Sequence, residues 1–262
     1  MQVPDAIAST KSVRKIGHIT PSCNSALEHI TSLVTTPLAH RGSNHFTRIP
    51  VGTISLSDDD RRQFETQTML GAARLLGDAG MDVVLWNGTS ACWNGTEADV
   101  EMCDAITRET GMAASTTILA QYEVFERYGV RVFGLAVPYT DDVTARSIET
   151  FAKAGYRAVS HANLGLTVGR EMAYVQFADI RELIRAADSP DAECVIVVCT
   201  GLPAAFVVEE MEQELGKPIF DSVLVTAWKG LQAVGAPDPI EGWGSLLRGG
   251  ADGRARQGVL TA

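Results

Sequence analysis

The chain has 262 residues, of which 45% are hydrophobic and 21% are charged, a composition typical of a folded globular protein with one or two cores. Its formal net charge of −10 argues against non-specific binding of nucleic acid or anionic membranes, but does not exclude a local site for a small anion. No apolar run approaches the roughly 20 residues that cross a bilayer, and the first 15 residues lack the apolar centre of a secretory signal. We therefore expect a cytoplasmic protein.

Strand-like apolar runs alternate with amphipathic helical stretches, a pattern that predicts parallel α/β architecture. Residues 15–22 form the first predicted strand, and residues 58–78 form a helical stretch that begins with three aspartates at its N-terminus. A buried strand within residues 81–90 comes next, followed by a helix over residues 97–109. A last helix ends at the pair Tyr128-Gly129, since glycine commonly terminates helices.

The second half of the chain repeats this series. Residues 131–141 correspond to the first strand, residues 177–187 to the helical stretch and residues 193–201 to the buried strand. Aligning the ends of the two buried strands pairs Gly88 with Cys199 and Thr89 with Thr200. Helices that end at Gly216 and near Gly235 complete the repeat.

This repetition predicts an α/β fold of two pseudo-symmetric half-domains, residues 15–128 and 129–248. Each is expected to hold a small parallel sheet flanked by helices, with the active site in the cleft between them. The sequence leaves open whether part of the C-terminal segment packs on the first half-domain. Residues 249–262, rich in glycine and arginine, are predicted to be a disordered tail.

In open parallel sheets, ligands bind beyond the carboxyl ends of the strands. That rule selects the turns at residues 20–24, 88–90, 138–140 and 199–201, which we expect to converge on one cleft. Backbone N–H groups there, together with hydroxyl groups, suit a carboxylate or an enolate-like oxyanion. The hydroxyl groups belong to Thr89, Ser90, Tyr139 and Thr200.

The five cysteines form no CxxC pair, and their odd number predicts reduced thiols rather than a disulfide framework. Cys199 follows a buried strand at the expected mouth of the site, so we interpret it as a working acid/base whose pKa is lowered by peptide dipoles. Cys103 and Cys194 are interpreted as core thiols. Cys23 and Cys92 lie near candidate turns, but away from the strand-end position.

Other chemistries lack their motifs. No GxGxxG or GxxxxGK[ST] loop indicates nucleotide binding, and no GxSxG turn indicates a serine hydrolase. His40 and His45 have no spacing typical of a metal site and are better explained as surface loop residues. We expect no cofactor and no metal.

Four short segments, in their order and spacing, resemble the aspartate/glutamate racemase superfamily, in particular its branch of maleate isomerases and arylmalonate decarboxylases. The resemblance covers about residues 15–247 and rests on Gly17-His-Ile-Thr-Pro-Ser-Cys-Asn24, Gly88-Thr-Ser90, Pro138-Tyr-Thr-Asp-Asp142 and Val198-Cys-Thr-Gly201. It implies a cofactor-independent enzyme of two similar halves that acts on small carboxylic acids. It also implies a cysteine at a strand end in each half, and here the first-half position is Gly88.

A single thiol at Cys199 resembles the arylmalonate decarboxylases, which carry Gly-Thr-Ser in the first half. By that resemblance Thr89, Ser90, Tyr139 and the Thr200-Gly201 backbone would hold a carboxylate or enediolate. Asn24, in contrast, matches the Pro-Ser-x-Asn turn of maleate isomerases, where it resembles a ligand of the substrate carboxylate.

We therefore predict a cofactor-free enzyme that protonates an enediolate from one face, and we expect Gly88→Cys to add racemase activity. Two alternatives remain: a maleate cis–trans isomerase or Asp/Glu racemase-type isomerase that uses a cysteine adduct, and a non-catalytic protein that binds a small acid. The expected partner is a small carboxylate, with no nucleic acid and no membrane. A homo-oligomer is left open.

Overall fold

The structure, a computed structural model, describes residues 13–236 and 238–249. It contains two four-stranded parallel sheets of identical strand order, β2-β1-β3-β4 and β6-β5-β7-β8. The strands of the first sheet are β1 (Arg14–Pro21), β2 (Gly42–Ile49), β3 (Val83–Trp86) and β4 (Ala113–Thr116). Those of the second sheet are β5 (Val132–Val137), β6 (Arg157–Asn163), β7 (Cys194–Val197) and β8 (Ile219–Asp221). The predicted α/β fold is confirmed.

Helices flank both sheets. In the first half of the chain they are α1 (Leu27–Thr35), α2 (Asp58–Arg62), α3 (Thr66–Asp78), α4 (Ala91–Asn94), α5 (Glu97–Thr110) and α6 (Thr117–Tyr128). In the second half they are α7 (Asp141–Lys153), α8 (Gly169–Met172), α9 (Phe177–Ala187), α10 (Ala205–Leu215), α11 (Ser222–Ala233) and α12 (Ser245–Arg248). None of the helices within the described ranges is long and apolar enough to cross a bilayer.

The single helical stretch predicted over residues 58–78 is wrong, because the chain forms α2 and α3 there. The aspartate run does begin a helix, as predicted, and Ser57 caps it by accepting the N–H of Asp60. The helix then ends because the amide of Gln63 donates to the carbonyl oxygens of Asp60 (2.8 Å) and Thr53 (3.1 Å). This side chain ties the end of α2 to the loop before it.

The register of the strands supports the internal repeat. Val83 of β3 pairs with Ile16 of β1, and Cys194 of β7 pairs with Phe133 of β5. Val83 and Cys194 are 111 positions apart (83 to 194), which is also the separation of Gly88 and Cys199 (88 to 199). Gly88 and Cys199 therefore follow equivalent strands at equivalent distances from their ends.

The two halves exchange helices α6 and α11. Phe125 of α6 contacts Phe133 of the second sheet, with a centroid distance of 5.3 Å. Gly230 of α11 lies against Ile16 and Leu85 of the first sheet, where a Cβ would be 3.0 Å and 3.1 Å from their methyl groups. The two helices meet at the hydroxyl pair Thr117–Thr226 (2.8 Å). Helix α11, from the second half of the chain, thus packs on the first sheet. The division into half-domains between residues 128 and 129 remains a proposal.

Residues 250–262 of the predicted tail lie outside the described residues, and Gly249 is the last residue described.

The exchanged helix α6 should contribute strongly to stability through Phe125, which is fully buried. We expect Phe125→Ala to lower the free energy of unfolding by about 3–5 kcal/mol, through lost burial and a residual cavity. Phe206→Ala is the matched control, because that ring is 39% exposed and its loss should cost markedly less. Urea denaturation measures both, and equal losses would contradict a central role for the exchange.

Candidate active site

A narrow cavity of about 40 Å³ lies where the carboxyl ends of both sheets face each other. The structure brings all eight predicted site residues to it: Asn24, Gly88, Thr89, Ser90, Tyr139, Cys199, Thr200 and Gly201. They come from the turns after β1, β3, β5 and β7. The convergence follows from the repeat, because equivalent strand ends of two facing halves point to the same space.

Thr200 joins the two halves at the floor of this cavity. Asn24 Nδ2 donates to Thr200 Oγ1 (3.2 Å), and that hydroxyl donates to the carbonyl oxygen of Asn87 (3.2 Å). Asn24 Oδ1 accepts the N–H groups of Ala26 and Leu27 at the start of α1. The side chains of Asn24 and Thr200 are therefore engaged mainly with the protein. One N–H of the Asn24 amide remains for a ligand.

The hydroxyl groups of the other turns lie close together. Tyr139 Oη and Thr89 Oγ1 form a 2.8 Å hydrogen bond, and both residues are buried. Ser90 Oγ accepts the indole N–H of Trp86 (3.2 Å). Within the described part of the chain, the backbone N–H groups of Thr89 and Ser90 have no acceptor. These groups can donate hydrogen bonds to an anionic oxygen in the cavity.

The thiol of Cys199 is buried, with 4% of the residue exposed. Burial raises its pKa to about 11, although hydrogen bonds from Tyr139 and from the N–H groups of Gly201 and Leu202 favour the thiolate. The Gly201 N–H lies 3.3 Å from the sulfur. Our expectation of a lowered pKa is therefore wrong, because the loss of solvation outweighs the peptide dipoles. At neutral pH the group is a thiol, which suits a proton donor.

The other four cysteines lie in three different environments. Cys23 is half-buried and lines the cavity beside Gly169. Cys92 is buried outside the cavity, with its sulfur 3.4 Å from Ser147 Oγ. Cys103 and Cys194 are buried in the core, as predicted.

Two groups of cavity residues were missed by the sequence analysis. One is an aromatic side formed by Phe64, Trp86 and Trp93, in which the Phe64 ring lies about 6 Å from each indole, centroid to centroid. The other is a roof of two loops, which contributes Val51, Ile54, Gly169 and Met172. The loops are joined by main-chain hydrogen bonds from Ile54 N–H to the Thr167 oxygen (2.8 Å) and from Gly169 N–H to the Gly52 oxygen (3.0 Å). These residues belong to no sequence motif, and the aromatic ones have the apolar pattern of ordinary core residues.

No group of three or more His, Cys, Asp or Glu side chains could hold a metal ion in the described part of the chain. His45 instead lies 2.9 Å from Ser43 Oγ through its Nε2.

Known proteins of two activities share this architecture. Arylmalonate decarboxylase from Bordetella bronchiseptica is 29% identical over 185 residues, which cover 69% of this chain and 77% of the relative. The structure of maleate cis-trans isomerase from Nocardia farcinica superimposes with a TM-score of 0.83 at 19% identity, covering 90% of this chain and 98% of the isomerase. Unliganded arylmalonate decarboxylase superimposes with a TM-score of 0.74 at 24% identity, covering 90% and 99% of the two chains.

The two similar sheets, with one strand-end cysteine in the cleft, define a member of the superfamily of aspartate/glutamate racemase-like enzymes. The predicted branch of maleate isomerases and arylmalonate decarboxylases is confirmed, and with it the prediction of a decarboxylase or isomerase. The model of the arylmalonate decarboxylase family matches residues 42–247, and the chain belongs to that family.

The raised pKa of Cys199 predicts a distinct pH profile for its alkylation. Because only the thiolate reacts, the rate should rise about tenfold per pH unit until the pH approaches 11. Peptide mass spectrometry after iodoacetamide treatment measures the rate at Cys199, and Cys199→Ser identifies the signal. A plateau near pH 8 would contradict the burial argument.

The same pKa shift links stability to pH. The folded-state pKa lies above the ordinary value of 9.0, so the thiol's contribution to stability is fully present below that value. It is lost as the pH rises through 11.

Thr200→Val should destabilise the junction between the halves. Valine leaves the buried Asn24 amide and the Asn87 carbonyl without a partner, which costs about 1–3 kcal/mol of unfolding free energy. Thr200→Ser keeps the hydroxyl and should lose much less. Denaturant titration of the three proteins checks this, and equal stability of the valine and serine variants would show that the bridge contributes little.

Proposed function

We propose that this protein removes CO2 from a small dicarboxylic acid of the malonate type and that Cys199 then protonates the remaining carbon. One observation carries this proposal: a protonated thiol and several hydrogen-bond donors line the same small cavity, while the equivalent strand end carries Gly88. A single proton donor suits a reaction that delivers one proton. Racemisation, in contrast, requires a donor on each face.

The N–H groups of Thr89 and Ser90, together with the one hydroxyl hydrogen that the Thr89–Tyr139 pair leaves free, are proposed to hold the carboxylate that stays on the substrate. The described residues around the cavity include no lysine or arginine. Neutral donors in a space of low polarity stabilise charge that develops during the reaction, without fixing a full ion pair in the ground state. Asn24 would add its free N–H, and the Thr200-Gly201 backbone would position the thiol.

The proposed reaction has two steps, loss of CO2 and protonation of the α-carbon. The bond between the α-carbon and the departing carboxylate breaks, CO2 leaves, and the electron pair passes into the remaining carboxylate to give an enediolate. The Cys199 thiol transfers its proton to the α-carbon, and the resulting thiolate is reprotonated by water. Hydrogen bonds from Tyr139 and Gly201 favour that thiolate while it exists. The substrate's own carboxylate accepts the electron pair, so we propose that no cofactor takes part.

The apolar side of the cavity matches an apolar or aryl substituent in polarity, and the cavity of about 40 Å³ must widen to admit one. Phe64, Trp86 and Met172 line it, together with the roof residues Val51 and Ile54. An aryl group there would spread the negative charge of the enediolate, and the roof would exclude water and strengthen every hydrogen bond in the cavity. Cys199 must stay reduced in such a reaction, which supports a cytoplasmic location.

Cis–trans isomerisation of maleate is the second candidate. The similarity to the Nocardia farcinica isomerase and the position of Asn24 at the cavity favour it. A mutant of that isomerase has been captured with a covalently bound succinylcysteine intermediate. A nucleophilic thiolate is the species that burial of Cys199 disfavours, and this supports the decarboxylase as the first candidate.

The decisive experiment is incubation with a 2-aryl-2-methylmalonate in D2O, with release of CO2 and product chirality as readouts. We expect one deuterium per product molecule and a single enantiomer. Cys199→Ala should lower kcat/KM by about 10²–10⁴-fold, the usual contribution of a proton donor, with little change in melting temperature. Cys194→Ala is the matched control, because this core thiol is fully buried and its loss should lower stability while turnover is kept.

Other results would identify the alternatives. A racemic product would show a second proton donor and contradict the mechanism of one thiol. Conversion of maleate to fumarate without decarboxylation would favour the isomerase. Stabilisation by dicarboxylates with no turnover would indicate a binding protein.

A further inference from the structure

The space next to Gly88 is filled by the side chain of Trp86. A Cβ at position 88 would lie within 2.7 Å of three indole atoms, Cζ2, Cε2 and Cη2, closer than real Cβ atoms approach other atoms. Gly88 is not among the glycines with positive φ. Glycine is therefore needed at this position because the indole occupies the space, and not because of the backbone conformation.

The second half has the opposite arrangement. Val197 ends β7 where Trp86 ends β3, and Cys199 follows at the position equivalent to Gly88. One half thus combines a small strand residue with a thiol, and the other combines an indole with no side chain. In the first half, Trp86 thus occupies the space that the side chain of Cys199 occupies in the second half.

The indole is held in place. Its N–H donates to Ser90 Oγ (3.2 Å), and Phe64 packs against it at 6.0 Å between ring centroids. Trp86 is 1% exposed, and it lines the same cavity as Cys199. Moving the ring away would break a buried hydrogen bond and leave a void, so the ring cannot make room cheaply for a new side chain.

We propose that Trp86 is a specificity-determining residue, which closes the side of the cavity opposite Cys199 and so limits proton delivery to the Cys199 side. This inference rests on the proposed function. The ring presents an apolar wall that neither donates a proton to the substrate carbon nor admits water to it. The wall also determines how large a substituent fits beside Gly88.

This changes the expectation for Gly88→Cys. The single substitution brings its new Cβ into collision with the indole, whereas Trp86→Val, which copies Val197, frees the space. We expect Gly88→Cys alone to lower the melting temperature by about 3–10 °C through overpacking. The double variant Trp86→Val/Gly88→Cys should be more stable than the sum of the two single changes predicts.

Gly201→Ala is the matched control for stability. It alters a glycine of the same cavity, but its Cβ would meet no atom closer than 3.6 Å, so its melting temperature should stay near that of the wild type. Thermal melts of the wild type, Gly201→Ala, Gly88→Cys, Trp86→Val and the double variant form the first readout. The second is exchange of the α-proton of a 2-arylpropionate in D2O, followed by chiral chromatography.

The double variant should exchange and racemise the 2-arylpropionate at least tenfold faster than either single variant. A Gly88→Cys protein as stable as Gly201→Ala would overturn the proposal, and so would a double variant that shows no recovery of stability. Recovery of stability without exchange would also overturn it, because the new thiol would then not reach the substrate carbon.

A failure of the proposed function can be distinguished from a failure of the proposal for Trp86. In that case the wild type releases no CO2 from the 2-aryl-2-methylmalonate, whatever the melts of the variants show. The packing claim is then decided by the melts alone.

Discussion

The exchange of helices between the two halves is the constraint on which the cavity depends. Helix α6 leaves the first sheet to pack on the second, and α11 does the reverse. Each helix is also bonded at its first residue to the end of a central strand. Thr117 Oγ1 donates to the carbonyl oxygen of Trp86 (3.3 Å), and Ser222 Oγ donates to that of Val197 (2.9 Å). The ends of β3 and β7 are thereby fixed relative to both sheets, and the turns that follow them face each other.

Fixed strand ends explain why the site residues can be both buried and polar. A loosely joined cleft would admit water, which would solvate the Cys199 thiolate and return its pKa towards the ordinary value. The rigid junction keeps the sulfur buried among Tyr139, Met172 and the Gly201 N–H. The cost of an unpaired polar group is avoided because Tyr139 and Thr89 satisfy each other.

Much of this arrangement could be predicted from the sequence because the chain carries it twice. The pairing of Gly88 with Cys199 follows from two matching apolar runs, and the strand-end rule then places the surrounding turns. The pKa of Cys199 could not be predicted, since it depends on how completely loops distant in sequence exclude solvent. The break between α2 and α3 depends in the same way on a contact of Gln63 with the loop at Gly52 and Thr53. The role of Trp86 could not be predicted either, because the end of a buried strand and the wall of a cavity have the same apolar sequence pattern.

The two loops of the roof are joined by backbone groups, so their connection does not depend on the side chains that face the cavity. The hydrogen bonds between residues 52–54 and 167–169 involve only N–H and C=O groups, which every amino acid except proline supplies in full. Asp60 supports the same loop from outside by accepting the hydroxyl groups of Thr53 and Ser55. Replacing the inward side chains Val51 and Ile54 therefore leaves the main-chain hydrogen bonds in place, whereas Met172 also contacts the sulfur of Cys199 (3.6 Å). The fit of a ligand to the cavity can thus be altered at Val51 or Ile54 without breaking the hydrogen bonds that join the two loops or the contacts of the thiol.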